Sequence, residues 1–350
     1  MKFYTKNHQY YCGADLHTKT IYLCIIDNEG NILMHKNIAA KPKPFLRAIE
    51  SYREDLVVGA ECMFSWYWLA NLCIEHDINF ILGHALYMKC IHGGKSKSDK
   101  KDSEKIARLI RGGTFPQAYL YPPELRPVRD LLRRRRMLVR YRSELLAHIK
   151  ITHHQYNAEC FKKNINKKGN RQALDELFED PAICKNIEMD ILAADHLHDQ
   201  IVELENYVVR HAKAFDPRTY YRLQTVPGIG KVLALTILYE IGNIDRFPDV
   251  QHFCSYSRLV KCPKESAGQL YGYGGQKMGN AHLKWAFSEA MALLMRQSQE
   301  AKDYVARLEK KHGKSKAMSI LAHKLGRAVY TIIKRKDAFD AVRRFGEIFF

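Results

Sequence analysis

Four acidic side chains are the first groups in this sequence able to do chemistry. Asp99 and Asp102 stand three positions apart in the lysine-rich stretch GGKSKSDKKDSEKIARLI, residues 93–110, directly ahead of an apolar helical pattern. Asp15 sits near the end of the apolar run YYCGADL, residues 10–16, and Glu61 closes VVGAE, residues 57–61. Four carboxylates in one cleft repel one another until hard cations neutralise them, and Mg2+ or Mn2+ accepts all-oxygen donor sets of this kind. A pair of such ions can clamp a scissile phosphate. Each acid also has a plainer use. Asp99 can cap a helix opening at Lys100, and Asp102 can sit in its first turn, where the positive end of the dipole favours an anion. Asp15 can be a turn residue and Glu61 a strand-end acid facing solvent. Positions i and i+3 share a helix face, so Asp99 and Asp102 can point at one spot under either reading.

The elements around these acids decide whether they can meet. YYCGADL and TIYLCIID, residues 20–27, are separated by three residues, and Asn28-Glu29-Gly30 turns the chain into NILMHKNI, so the opening predicts a three-stranded antiparallel meander. Then follow a helix in FLRAIESYR, a buried strand in DLVVGAEC, a helix in SWYWLANLCIEHD and a strand in INFILGH. A meander followed by alternating helices and strands makes a mixed sheet flanked by helices, and this order matches the ribonuclease-H-like fold. Open α/β sheets bind ligands at the carboxyl edge of their strands. Asp15 and Glu61 fall at strand ends, and Asp99 with Asp102 begin the helix after the last core strand.

GADLHTKT, VVGAEC and SDKKDSEKIARLI resemble the DEDD motif blocks of the RuvC-like transposases of the bridge-RNA-guided insertion-sequence family, whose relatives include pilin-gene invertases. The resemblance extends over nearly the whole chain. It implies that residues 1–122 form a RuvC-like catalytic domain in which Asp15, Glu61, Asp99 and Asp102 are the metal ligands.

Residues 123–215 read as a helical middle. ELRPVRDLLRRRRMLVRYRSELLAHIK places Leu131, Leu138 and Leu145 at heptad spacing, and Ile187, Ile191, Ala194, Leu197, Ile201, Leu204 and Val208 recur at three- and four-residue steps. Two such helices form either an antiparallel pair or an oligomer-forming coiled coil. The segment between them, FKKNINKKGNRQALDELFEDPA, suggests a shorter helix with loops. Arg133, Arg134, Arg135 and Arg136 span a full turn, so some must face a partner or an acidic neighbour; a phosphate backbone and a solvated surface are both open. In the resembling family this region is a coiled coil that assembles the oligomer and contacts RNA.

Residues 216–350 are expected to be mainly helical. LQTVPGIGKVLALTILYEIGNIDRF reads as helix, Pro-Gly-Ile-Gly turn, helix, a helix-hairpin-helix-like motif in which Gly228 and Gly230 let backbone approach a phosphate and Lys231 adds charge. A tight interhelical turn is the plainer alternative. The spacing of an ATP-binding loop is missing, so no nucleotide cofactor is implied. Ser266 falls in a Gly- and Tyr-rich loop between two helical segments, where a lone serine is ordinarily a turn residue. In the resembling family, however, Pro, a short spacer, Ser-Gly or Ser-Ser-Gly, a glycine-containing loop, then Gly-Asn-x-x-Leu-Arg mark the transposase domain and its nucleophilic serine. The match here runs from Pro263 to Lys284 and implies that Ser266 is the nucleophile. It departs twice: the serine block is Glu-Ser-Ala-Gly, and Lys284 replaces arginine, keeping the charge without the planar fork that grips phosphate bidentately.

Composition narrows the partners. The chain has 350 residues with a formal net charge of +18, which suits a polyanion such as nucleic acid. No apolar run is long enough to span a membrane, and the start lacks a signal-peptide core, so a cytoplasmic protein is expected. Nine cysteines without a paired spacing read as reduced thiols rather than a disulfide frame or zinc site. A serine–phosphate link conserves bond energy for rejoining without ATP, which suits recombination better than digestion. The resemblance further implies double-stranded donor and target DNA, a structured guide RNA, and a homotetramer in which the carboxylate domain of one subunit meets the serine domain of another. A RuvC-like nuclease or junction resolvase using water, and a non-catalytic nucleic-acid-binding protein, are the competing readings.

Overall fold

Alternating apolar residues build the first sheet. In the computed structural model, which describes residues 2–91, 98–158, 164–171, 178–212, 215–274 and 278–338, the unit Met1–Glu124 contains in chain order β1 (Phe3–Tyr4), β2 (Tyr10–Leu16), β3 (Thr20–Asp27), β4 (Ile32–Ala39), α1 (Pro42–Ile49), β5 (Leu56–Glu61), α2 (Trp66–Glu75), β6 (Asn79–Gly83), α3 (Ala85–Ile91), α4 (Asp99–Arg111) and β7 (Phe115–Pro116). The main sheet has the order β4-β3-β2-β5-β6. β3 is antiparallel to both β2 and β4, whereas β2, β5 and β6 run parallel. This is the mixed sheet expected from the pattern.

The sheet's two faces bury different residues. Cys12, Ala14 and Leu16 of β2, with Val58 and Ala60 of β5, pack with Phe45, Leu69 and Cys73 of α1 and α2. Tyr11 and Val57, one position out of phase, pack with Ile106, Ala107, Leu109 and Ile110 of α4. α4 lies close because glycines floor its path. A Cβ at Gly13 would overlap the Ser103 carbonyl and come within 2.5 Å of the Ala107 amide, while one at Gly59 would overlap the Ile110 side chain.

The two long helices, α5 (Arg126–Gln155) and α6 (Pro181–His211), belong with the C-terminal half to one unit, Leu125–Phe350. Leu125 before α5, Leu132 within it and Val208 of α6 are buried in the core of that half. α5 and α6 run antiparallel: Arg135 pairs with Glu205, Arg142 with His198 and His148 with Asp190. α6 starts at Pro181 behind the Asp180 cap, and every seventh residue, Ile187, Ala194, Ile201 and Val208, is buried. The short helix expected between α5 and α6 falls largely on residues outside those described.

Beyond them come α7 (Pro217–Gln224), α8 (Lys231–Ile241), α9 (Val250–Tyr256), β8 (Cys262–Ser266), β9 (Gln269–Gly274), α10 (Ala281–Gln297), α11 (Gln299–His312) and α12 (Lys314–Arg335). α8 is mostly apolar and is buried from Leu233 to Ile241, Glu240 included. The loop expected around Ser266 is instead a hairpin, β8 pairing antiparallel with β9. Ala267 and Gly268, at φ 50° and 77°, form its two-residue turn. Positive φ at both central positions matches the twist of paired strands, which is how so glycine-rich a segment still makes a hairpin.

Candidate functional site

Strand alternation brings the first two acids to one edge. Ala14 pairs with Ala60 in the last parallel pair between β2 and β5; Asp15 and Glu61 follow one residue later, side by side at the carboxyl end. Both continue the phase of Tyr11 and Gly13, and of Val57 and Gly59, so both belong to the α4 face of the sheet. α4 supplies the other pair. Its buried stripe is Ser103, Ile106, Ala107 and Ile110, and Asp99 and Asp102 lie one turn before Ser103 and Ile106 on the same side. His35 Nε2, on β4, donates to the Lys100 carbonyl at 2.9 Å and holds that first turn against the sheet.

The capping assignment is corrected by the structure. Ser98, not Asp99, is the N-cap, its side chain accepting from the Lys101 amide at 3.3 Å. Asp99 is the first residue of the helix, and its carboxylate is directed elsewhere: one oxygen lies 3.3 Å from His17 Nε2, which is also 3.3 Å from a carboxylate oxygen of Asp15. Donor atoms of Asp15, His17 and Asp99 all lie within 4.8 Å of one another. Asp102, paired with Lys105 at 3.2 Å, and Glu61 flank this group without entering it. Burial raises the Asp15 pKa, the charges of Asp99 and Asp102 add to the rise, and only His17 opposes it. A divalent cation would remove that penalty. The donor set fits one: hard carboxylate oxygens of Asp15 and Asp99 converge with the solvent-shielded His17 Nε2.

Sequence reasoning missed His17, although its signal was present: two residues after Asp15 at a strand end, period-2 alternation keeps it on the same side.

In the second unit, Ser266 is exposed at the end of β8, one residue from the hairpin turn. The chain returns from β9 through Gly279, at φ 87°, where a Cβ would lie 2.5 Å from the Tyr256 carbonyl. Asn280 then caps α10, accepting from the amides of His282 and Leu283 at 2.8 and 3.0 Å. Its Nδ2 donates at 2.7 Å to Glu240 Oε2. Glu240, 1% exposed, also accepts from Arg129 Nε at 3.0 Å and from Arg133 Nε and Nη2 at 2.6 and 2.9 Å. Burial works to raise the Glu240 pKa, but the Arg133 hydrogen bond and the charges of Arg129 and Arg133 overcome it and hold the carboxyl at about 2. The Gly-Asn pair that follows the hairpin is thus pinned to α5 and α8 through a carboxylate that the sequence reading passed over as one letter in an apolar helix.

The basic candidates separate. Arg133 is committed to Glu240, Arg135 donates to Glu205 at 2.7 Å, and Arg136 lies 5.1 Å over the Trp285 ring and 3.2 Å from His282 Nδ1. Arg134 is exposed. Burial, followed by the charge of Arg133, pushes the His282 imidazole down to about 4, so it is neutral beside Arg136 at pH 7. Gly228 faces inward: a Cβ there would overlap the Ala290 carbonyl and lie 2.7 Å from the Leu294 amide, and its own amide donates to Gln297 Oε1 at 3.0 Å. That glycine serves helix packing, and its amide is already used. Gly230 and Lys231, opening α8, and Lys284, in the first turn of α10, are exposed.

Carboxylates at the edge of a mixed sheet and a strongly basic chain are features that an enzyme acting on nucleic acid would need, and comparison with known proteins gives the family. A model described as transposase IS116/IS110/IS902 family matches residues 220–306, which include Ser266 and Lys284. A model of the IS110-type DEDD transposases, described as transposase, matches residues 12–157, which include all four acids. Similar proteins include the pilin gene-inverting proteins of Moraxella lacunata and Moraxella bovis, 26% and 25% identical, each over 79% of this chain and 79% of the relative. The transposase for insertion sequence element IS1111A of Coxiella burnetii is 21% identical over 93% of this chain and 90% of its own. The chain belongs to the IS110-type transposases, enzymes of DNA recombination carried by insertion sequences. Membership implies a DNA substrate and dependence on a divalent metal. No described helix is long and apolar enough to cross a membrane.

Proposed function

We propose that the chain cuts and rejoins DNA through a phosphoserine intermediate, with Ser266 as nucleophile and Asp15, Glu61, Asp99 and Asp102 of a ribonuclease-H-like unit as the cation-binding set. The observation that carries this reading is the convergence of Asp15 and Asp99, 84 residues apart in sequence, to within 4.8 Å through donor atoms they share with His17, inside a family whose name records four such acids. In the cleavage step, Ser266 Oγ bonds to phosphorus and the bond from phosphorus to the leaving sugar oxygen breaks. The serine proton is released and the leaving oxygen takes one up; the reverse sequence rejoins a strand with no net loss of phosphodiester energy. A bound Mg2+ or Mn2+ would supply Lewis-acid stabilisation of the charge that builds on the phosphate oxygens. Exposure of Ser266 on a hairpin suits attack on a bulky duplex.

Sequence choice in this reading comes from a structured guide RNA that pairs with donor and target DNA. The protein then holds shape and backbone, which accords with a net charge of +18 and with exposed Arg134, Gly230, Lys231 and Lys284. A homotetramer brings the carboxylate unit of one subunit to the hairpin of another. The test incubates the full chain with Mg2+, end-labelled DNA spanning the element's junctions and RNA transcribed from its noncoding flank. A covalent protein–DNA adduct mapping to Ser266, lost in Ser266→Ala and in Asp15→Asn, supports the proposal. Metal-dependent cutting without an adduct assigns a water-using nuclease, and binding without cutting assigns a non-catalytic binder.

A further inference from the structure

His17 belongs to none of the four acids, yet its Nε2 lies 3.3 Å from an oxygen of Asp15 and 3.3 Å from an oxygen of Asp99. The ring nitrogen is shielded from solvent and lies at ion-pair distance from both carboxylates, in a geometry too poor for a strong hydrogen bond to either. Adjacent donors around an octahedral ion with bonds of about 2.1 Å stand roughly 3 Å apart, so both separations suit shared ligation better than they suit hydrogen bonding. The two carboxylates are placed by different elements, Asp15 by β2 and Asp99 by α4, and the imidazole is the group that touches both. Building on the cation-site reading above, we propose that His17 is a metal ligand, turning an all-oxygen site into a mixed nitrogen and oxygen site that prefers Mn2+ to Mg2+.

The preference follows from donor chemistry. Mg2+ dehydrates reluctantly and gains little from imidazole, whereas first-row transition ions accept nitrogen readily. The alternative is that the ring merely fills the space between two acids and must leave when an ion enters. The two roles predict opposite signs. A ligand lost weakens Mn2+ binding; a plug removed strengthens it. The His17 side chain is 42% exposed, so truncation opens no core cavity and the variant tests binding rather than folding.

The experiment titrates the full chain with MnCl2, without nucleic acid, and measures free Mn2+ by its six-line EPR signal and bound Mn2+ by electron spin-echo envelope modulation. Wild type should show a directly coordinated 14N modulation. His17→Ala should lose it and bind Mn2+ about tenfold more weakly, while the Mg2+ concentration needed to displace half the Mn2+ falls by a similar factor. Absence of nitrogen modulation in the wild type, or unchanged or tighter Mn2+ binding by His17→Ala, overturns the assignment. If Asp15→Asn still abolishes binding in that case, the carboxylate site stands and only His17 is wrong. Mn2+ binding that survives Asp15→Asn overturns the carboxylate reading itself.

Discussion

Replacing Glu240 by glutamine changes one oxygen to an amide nitrogen at the centre of the second unit, and the cost can be worked from the contacts. Oε2 receives three donors, from Arg129, Arg133 and Asn280, and Oε1 receives a fourth, from Arg133 Nε. A glutamine amide at the Oε2 position sets donor against donor three times. Turned over, it still opposes Arg133 Nε, and either way the buried Arg129 loses its counter-charge. Removing one member of a buried ion pair costs about 3–5 kcal/mol, a drop in Tm of roughly 10 °C for a unit of this size. Urea unfolding of Glu240→Gln, with amide hydrogen exchange followed across α8 (Lys231–Ile241), reads the loss. An unfolding free energy within about 0.5 kcal/mol of wild type, with α8 protection unchanged, would refute the claim that this carboxylate ties α5, α8 and the α10 cap together.

Further outcomes are expected. The folded pKa of Glu240, about 2, lies below the ordinary 4.5, so its stabilisation is complete above pH 4.5 and is lost as pH falls toward 2. Wild type should lose about 3 kcal/mol more than Glu240→Gln over that interval in urea unfolding. Gly13→Ala, whose new Cβ meets Ser103 and Ala107, should cost about 1–3 kcal/mol by overpacking and abolish strand cleavage by displacing α4. Asp15→Asn should raise the melting temperature of the metal-free protein, because the raised pKa of Asp15 marks its charge as unfavourable there, while removing the stabilisation that Mn2+ gives wild type. Lys231→Ala should weaken DNA binding and lower the salt slope by about one, whereas Gly228→Ala should lower stability.

The strands, the long helices and the strand-end placement of Asp15 and Glu61 were legible because period-2 and period-3.6 patterns are local. Asp99 and Asp102 were legible as a shared helix face, but not as uncapped, since that depended on Ser98 taking the cap. What escaped was set by pairings across long separations. Gly13 and Gly59 look like weak points in strands until α4 lies over them. Glu240 looks like a stray acid until Arg129, 111 residues earlier, reaches it. Three of the four consecutive arginines found partners inside the chain, which a run covering every face of a helix could not reveal. The hairpin bearing Ser266 was hidden by its glycines, which suit loops and tight turns alike.

The central claim is that acids from β2, β5 and α4 share a divalent cation. Crystals soaked in MnCl2 and measured at the manganese absorption edge test it most directly. An anomalous peak within about 2.2 Å of oxygens from both Asp15 and Asp99, with Glu61 or Asp102 reaching it directly or through a bound water, is the predicted result. A map with no peak at that edge of the sheet, or with manganese bound only elsewhere on the chain, would contradict it.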